Sequence, residues 1–228
     1  MQNSYKRVDA HLSSLGYCTR SEAKKFLKIQ SVCVDGERVF DVTKKAYHSQ
    51  ITVDGQELDA ERLVIIMNKP CGVVCSHSDS GVLIYSLLPL RFQRRNPKIS
   101  TIGRLDMDTT GAILLSDDGA LNHKLTSPKS EVIKIYEVTL AQDLRGDEAE
   151  IFSSGELLLN GEKKPLLPAK MEIITPTSVR VEICEGRYHQ VKRMFGSVGN
   201  RVIALHRVSF GDFSVEGLKP SEFREVSL

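Results

Sequence analysis

Tryptophan is absent from this sequence of 228 residues, and long apolar runs and a marked excess of charge of either sign are lacking as well. The longest apolar run is Leu63-Val64-Ile65-Ile66-Met67, far short of the roughly 20 residues that a membrane helix requires. No apolar segment follows residues 1–7, so we expect no signal peptide. These features favour a cytoplasmic protein without a membrane partner.

The cysteines are few and do not pair by spacing. Five are present, at positions 18, 33, 71, 75 and 184, and an odd, scattered set favours free thiols in a reducing compartment over a disulfide framework. Cys71, Cys75 and His77 lie close together, but no second Cys/His pair follows to complete a metal site. We therefore expect no metal and no disulfide.

The composition is that of an ordinary folded protein, with 41% hydrophobic and 26% charged residues, and the length suits one large or two modest domains. The formal net charge of +2 conceals an uneven distribution. Residues 1–28, 91–104 and 180–207 are basic, whereas residues 137–162 contain seven acidic side chains and one arginine. Each basic window could be a solvated face, but three together favour a polyanionic partner such as RNA.

The amino-terminal segment has the pattern of two helices beside a small sheet. Val8, Leu12 and Leu15 recur at helical spacing, and Gly16 follows as a stop signal. The sequence Thr19-Arg20-Ser21-Glu22 predicts a capping box that opens a second helix. Two short alternating strands follow, and each ends in an Asp-Gly turn, at residues 35–36 and 54–55.

These features resemble the S4 RNA-binding domain over about residues 5–60. The matching positions are Arg7-Val8-Asp9, Gly16, Thr19-Arg20-Ser21-Glu22-Ala23, Ile29 and Val32-Cys33-Val34-Asp35-Gly36. One departure is Gln30, where S4 domains often have glycine. The resemblance implies that RNA phosphates are contacted by four cations, namely Arg7, Arg20, Lys24 and Lys28. The alternative for each cation is a solvated helix face.

The rest of the chain alternates apolar strands with polar loops. The most informative loop lies between Gly103 and Gly111 and carries two carboxylates and two hydroxyls. It is interpreted either as a functional loop held by a rigid scaffold or as a simple capped turn. A further strand is predicted at residues 131–140, and another at 179–183 leads into a helix that extends to about Val198.

Four stretches of this region are similar to the pseudouridine synthases, and among them to the RsuA type that acts on the small ribosomal subunit. They are Asn68-Lys69-Pro70-Cys71-Gly72, the 103–111 loop, Lys134-Ile135-Tyr136-Glu137-Val138 and Glu185-Gly186-Arg187-Tyr188-His189-Gln190-Val191-Lys192-Arg193-Met194. The resemblance implies an α+β protein with a small S4-type α/β domain in residues 1–60. A larger, mixed but mainly antiparallel catalytic domain would occupy residues 61–228.

The resemblance also implies a reaction and its residues. Uridine within RNA is isomerised to its C-glycoside, without a cofactor. Asp106 would be the nucleophile, Lys192 its ion-pair partner, Tyr136 the ring that stacks on the extruded uracil, and Arg104 the side chain that replaces the flipped base. Two more cations, Arg187 and Arg193, would bind RNA. Neither Asp108 nor His189 is assigned a catalytic role.

Three functions remain open at this point. The first is isomerisation of one uridine in 16S rRNA, either free or in an assembling small-subunit particle, by a monomeric enzyme. The second is the same chemistry on 23S rRNA. The third is a non-catalytic S4-type RNA-binding or ribosome-assembly factor, and the retention of Asp106, Tyr136 and Lys192 argues against it.

Overall fold

The computed structural model describes residues 3–226, which form two compact units. Among the described residues, the first unit comprises residues 3–64, Tyr85–Ser100 and Leu115–Gly119, and the second comprises Ile65–Ile84, Thr101–Leu114 and residues 120–226. The first unit therefore includes chain beyond residue 60. The division into functional domains at that residue stays a prediction.

The amino-terminal part of the first unit is a helix pair beside a small sheet. Its elements are β1 (Tyr5–Arg7), α1 (Val8–Ser14), α2 (Ala23–Ile29), β2 (Val32–Val34), β3 (Glu37–Arg38), β4 (Lys45–Tyr47), β5 (Ile51–Val53) and β6 (Gln56–Glu57). Strands β3-β2-β5-β6 form one sheet, and β1 pairs with β4. Apolar residues of both helices and of the sheet, among them Leu12, Leu27 and Ile51, share one core.

The Gly16 stop signal is confirmed, whereas the predicted capping box forms its hydrogen bonds in a turn, because α2 begins only at Ala23. The Glu22 carboxylate accepts hydrogen bonds from the Thr19 amide (2.9 Å) and hydroxyl (2.7 Å), and the Glu22 amide donates back to that hydroxyl (3.3 Å). Gly16 follows α1 with φ +81°, a conformation that glycine adopts without strain. A Cβ at Gly16 would also overlap the carbonyl of Arg91.

The polar segment after β6 is anchored within the first unit. Arg95, whose side chain is fully buried, pairs with Asp117 at 2.7 Å and donates to the carbonyls of Ala60 and Glu61. Arg62 pairs with Asp118 at 2.6 Å. Because buried polar groups need partners, these contacts fix residues 60–62, which the sequence pattern alone would suggest to be a linker.

The remaining elements follow in chain order. They are β7 (Val64–Lys69), β8 (Val73–Val74), β9 (Val82–Leu83), α3 (Leu90–Gln93), β10 (Ser100–Ile102), β11 (Thr110–Ser116), α4 (Gly119–Thr126), β12 (Lys134–Leu140), α5 (Glu148–Ser153), β13 (Lys170–Thr175), β14 (Ser178–Ile183), α6 (Gln190–Ser197), β15 (Val202–Phe210), β16 (Phe213–Ser214) and β17 (Phe223–Glu225). Helix α6 and strands β12 and β14 match the elements predicted from the sequence.

Nine strands form one mixed sheet. Its order is β13-β14-β12-β15-β11-β7-β17, with β10 beside β11 and β16 beside β15. Strands β11 and β15 run parallel, whereas β12 is antiparallel to both of its neighbours and β17 is antiparallel to β7. The predicted α+β fold with a mainly antiparallel sheet is confirmed. Within residues 3–226, no helix is long and apolar enough to span a membrane.

Candidate active site

A buried lysine fixes the loop between β10 and β11. Lys69, at the end of β7, has no exposed surface. Its ammonium donates to the carbonyls of Pro70 (3.1 Å), Met107 (3.2 Å) and Thr109 (2.9 Å), and burial lowers its pKa. The Lys69 contacts therefore set the backbone on either side of Asp108. The sequence signal for this role is the Asn-Lys-Pro stretch directly after an apolar strand, which by itself indicates no particular function.

Two side chains hold Asp106, namely Lys192 on α6 and His189 directly before α6. Lys192 Nζ lies 3.0 Å from Asp106 Oδ2, which brings together the two residues that the resemblance pairs. His189 Nε2 lies 3.2 Å from Asp106 Oδ1, so each carboxylate oxygen has a partner. Lys192 also contacts Asp108 Oδ1 at 2.6 Å. The site therefore contains two carboxylates, a lysine and an imidazole.

The two carboxylates keep Lys192 charged. Burial by itself would lower the pKa of Lys192, but its hydrogen bonds to Asp108 and Asp106 raise that pKa above its usual value. In return, the hydrogen bond from Lys192 lowers the pKa of Asp108. Opposite charges at this distance favour the ionised forms of both groups.

The sequence did not predict two contacts of this site, that of His189 with Asp106 and that of Asp108 with Lys192. His189 has φ +48° and precedes α6 directly, and its ring stacks on Tyr188 with centroids 3.8 Å apart. A non-glycine residue in this left-handed region is uncommon. It is a conformation that often persists at functional sites. The only sequence signal was that His189 and Lys192 lie one helical turn apart.

A bulge between β12 and β15 places further residues near Asp106, around one cavity. Tyr136 pairs with Arg207 and Ile135 with Ser209, so Val208 has no partner on β12 in this register. Gly111 of β11 is also paired with Arg207, and a Cβ at Gly111 would overlap the Arg207 carbonyl. Bulges re-aim side chains, and this one brings Arg207 and Phe210 into the same wall as Tyr136.

These elements enclose a cavity of about 460 Å³. Its lining includes Arg104, Asp106, Tyr136, His189, Arg207 and Phe210. Tyr136 is 7% exposed, so its ring belongs to the wall, whereas Arg104 is exposed at the rim loop. An apolar and aromatic wall facing a few placed polar groups suits a small planar ring.

Comparison with known proteins identifies the family. Residues 63–197 match the RNA pseudouridylate synthase family. The ribosomal small subunit pseudouridine synthase A of Vibrio cholerae serotype O1 is 41% identical over 229 residues, covering 97% of this chain and 96% of that protein. The chain belongs to the RNA pseudouridylate synthases. The protein of the same name from Escherichia coli (strain K12) is 39% identical, again with 97% and 96% coverage.

A solved structure agrees with this assignment. A crystal structure of a pseudouridylate synthase superposes with a TM-score of 0.67 at 38% identity and covers 97% of this chain and 96% of that one. The resemblance to the RsuA-type pseudouridine synthases is thereby confirmed, and with it the prediction of an enzyme. The S4 resemblance of residues 5–60 stays a prediction.

The two α6-side arginines of this synthase are engaged internally. Arg187 contacts Glu185 (3.0 Å), Glu162 (3.4 Å) and the carbonyls of Lys164 and Pro165. Arg193 contacts the same Glu162 at 2.9 Å and the carbonyl of Asn160. Their proposed contacts with RNA remain predictions, but both arginines already anchor the 160–165 segment to the start of α6.

The amino-terminal cations of this synthase differ in their surroundings. Arg7 pairs with Asp9 at 2.7 Å. Arg20, Lys24 and Lys28 are exposed, and within residues 3–226 no ion pair involves them.

All five cysteines are free, and the described residues contain no cluster of three His, Cys, Asp or Glu side chains suited to a metal.

Proposed function

We propose that this pseudouridine synthase isomerises a uridine of ribosomal RNA, and specifically of the 16S rRNA of the small subunit. The observation that carries the chemistry is the position of Asp106, held by Lys192 and His189 at a cavity walled by Tyr136. The choice of 16S rRNA is supported by the names of the relatives, ribosomal small subunit pseudouridine synthases.

In the proposed reaction the target nucleotide leaves its stack and its uracil enters the cavity. Asp106 acts as the nucleophile of covalent catalysis, with Lys192 as its ion-pair partner and Tyr136 stacking on the uracil ring. Arg104, exposed on the loop beside Asp106, occupies the gap that the flipped base leaves. The C1′–N1 bond breaks and the C5–C1′ bond forms, so the overall change is an isomerisation.

Tritium release tests this proposal. Pseudouridine formation displaces the hydrogen on C5, so 5-³H-uridine-labelled 16S and 23S rRNA report the reaction directly. We expect the wild-type protein to release tritium from 16S rRNA and Asp106→Asn to release none. Asp143→Asn, an exposed aspartate on the loop after β12, is the matched control and should act as wild type.

Each alternative has its own outcome in this experiment. Release from 23S rRNA alone would overturn the choice of substrate but retain the chemistry. Absence of release from either RNA, with RNA binding intact, would favour the non-catalytic binding factor. Ion pairing of Asp106 with Lys192 argues against that factor, because a protein that only binds RNA does not require a paired carboxylate in a base-sized cavity.

A further inference from the structure

Two cations in the cavity wall, half-buried Lys134 and buried Arg207, have no carboxylate partner among residues 3–226. Lys134 Nζ donates to the carbonyls of Val132 (2.5 Å) and Cys184 (3.5 Å). Arg207 is 2% exposed; its Nε donates to the Ala112 carbonyl at 2.6 Å, and its Nη2 has no hydrogen-bond partner within the part of the chain that the structure describes. Both side chains line the cavity that holds Asp106.

The two cations lie together because of the bulge at Val208. Lys134 pairs across the strands with Phe210, and Tyr136 pairs with Arg207. Lys134 Nζ is 5.4 Å from the centroid of the Phe210 ring, and Arg207 Cζ is 5.2 Å from the same centroid. Arg207 Cζ is also 6.0 Å from the Tyr136 ring. Two positive charges therefore share one aromatic wall.

Two positive charges this close are unfavourable without a negative charge beside them. Burial and the nearby charge of Arg207 both lower the pKa of Lys134. Glu185 raises the pKa of Lys134 in the opposite direction, but its carboxylate is already bonded to Arg187, Gln190 and the amide of Leu167. Buried charge without compensation is costly, and groups aimed at charge that develops during a reaction are a common reason for such a cost.

We propose that Lys134 and Arg207 bind the carbonyl oxygens of the detached uracil and stabilise its negative charge. This assignment rests on the proposed function. When the C1′–N1 bond breaks, its electron pair stays on N1 and spreads to O2 and O4, while an Asp106 carboxylate oxygen bonds to C1′. The uracil anion turns, C5 bonds to C1′, and the bond between Asp106 and C1′ breaks, which restores the carboxylate. The proton on C5 then leaves to solvent and N1 takes one up, so charge and atoms balance.

The test compares neutral and charged replacements of Lys134 in the full-length protein. Single-turnover tritium release from 5-³H-uridine-labelled rRNA, with enzyme in excess, gives the rate of the chemical step, and filter binding gives the affinity for the same RNA. Lys134→Met should lower the rate about 100-fold or more, the loss typical of removing one charge-stabilising donor. Its affinity for RNA should change less than twofold, because the anion forms only after binding.

Charge-preserving variants and a surface lysine serve as controls. Lys134→Arg should recover most of the rate, whereas Lys134→Gln should be as slow as Lys134→Met. Lys170→Met removes an exposed lysine paired with Glu182 and should be as fast as wild type. Arg207→Lys, which retains the charge beside Tyr136, should be faster than Arg207→Met. Thermal unfolding of each variant separates loss of charge from loss of fold.

Different results would overturn the two proposals separately. A folded Lys134→Met or Lys134→Gln protein at the wild-type rate would overturn the role of Lys134 in stabilising the anion. So would an equal loss of rate in Lys134→Arg, or a loss of affinity as large as the loss of rate. Absence of tritium release from the wild-type protein would instead overturn the proposed function itself.

Discussion

Lys192 serves two carboxylates at once, and its shorter contact is with Asp108, not with Asp106 (2.6 against 3.0 Å). Asp108 therefore has a physical role next to the proposed nucleophile. In the proposed covalent step Asp106 loses its charge, and Asp108 then still holds Lys192 in place. Asp108, to which the sequence interpretation assigns no catalytic role, thus completes the electrostatic arrangement around Asp106.

Removal of the charge on Lys192 should slow the chemistry without loss of RNA binding. We expect Lys192→Met to lower single-turnover tritium release about 100-fold, because preorganised charge is a major source of rate enhancement in enzymes. Lys192→Arg keeps the charge and should retain much of the activity. Filter binding of the same rRNA should show little change. If Lys192→Met were as active as wild type, the Asp106 pair would be only structural.

Gly111 is required by the close approach of β15. It has φ +103°, and a Cβ there would meet the backbone of Arg207. We expect Gly111→Ala to lower the free energy of unfolding by about 1–3 kcal/mol, the usual cost of a strained backbone, and to lower activity because Arg207 must shift. Gly119→Ala is the control, since a Cβ at Gly119 enters open space. Urea denaturation of both variants should separate them clearly.

At the scale of elements, the acidic stretch has a structural role at the start of α5. Glu148 is 1% exposed, and its carboxylate accepts the amides of Arg145 (2.8 Å) and Gly146 (2.9 Å). Burial opposes ionisation of this carboxyl, but the amide hydrogen bonds lower its pKa below the usual value. The charged carboxylate therefore stabilises the turn into the helix.

This gives a prediction for pH. Because the folded pKa of Glu148 is depressed, its contribution is present above the unfolded value of about 4.3 and is lost as pH falls through the folded value. We expect Glu148→Gln to lower the free energy of unfolding by about 1–2 kcal/mol at pH 7, as for a charged hydrogen bond. Urea denaturation near pH 3.5 should show a smaller difference. Glu150→Gln, exposed on the same helix, should show none at either pH.

The elements that sequence patterns predicted well are those set by local chemistry. The Thr19–Glu22 capping box and the Gly16 stop depend on residues that are neighbours in the chain, and both are present. Arg187 and Arg193 also have partners in residues 160–165, and nothing in the local pattern indicates these contacts. The sequence also gives no signal for the extra residue at Val208, because a bulge depends on the register between two strands.

Only those residues of the site that belong to the family pattern could be predicted from the sequence. Asp106 and Lys192 are 86 positions apart, and only the resemblance brought them together before the structure did. The contact of His189 with Asp106 could not be predicted from the sequence, because it depends on the left-handed backbone before α6. The role proposed for Lys134 and Arg207 could be inferred only from their burial in the structure, because in a strand pattern they look like alternating surface cations.

At the scale of the whole molecule, the cations of the three basic windows differ in their burial and ion pairing. In residues 91–104, Arg95 is buried against Asp117 and Arg91 pairs with Asp59. In residues 180–207, Arg187 and Arg193 are bound to Glu162 and Arg207 is buried. Much of the positive charge of these two windows is thus neutralised or enclosed. Arg20, Lys24 and Lys28 of the first window are exposed, and the RNA contact predicted for them would involve α2 and the turn before it.

This distribution predicts which cations control the salt dependence of RNA binding. Each bound phosphate releases counterions, and the slope of log affinity against log salt changes by about 0.7–0.9 for each phosphate that is no longer neutralised. We expect Arg20→Ala combined with Lys24→Ala to weaken rRNA binding at low salt and to flatten this slope by about 1–2. Lys170→Ala combined with Arg180→Ala removes two exposed cations that already pair with glutamates and should leave the slope as it is. An unchanged slope in the Arg20 and Lys24 double variant would mean that these two cations are only solvated, and RNA would then have to be bound by other exposed cations, such as those of residues 91–104.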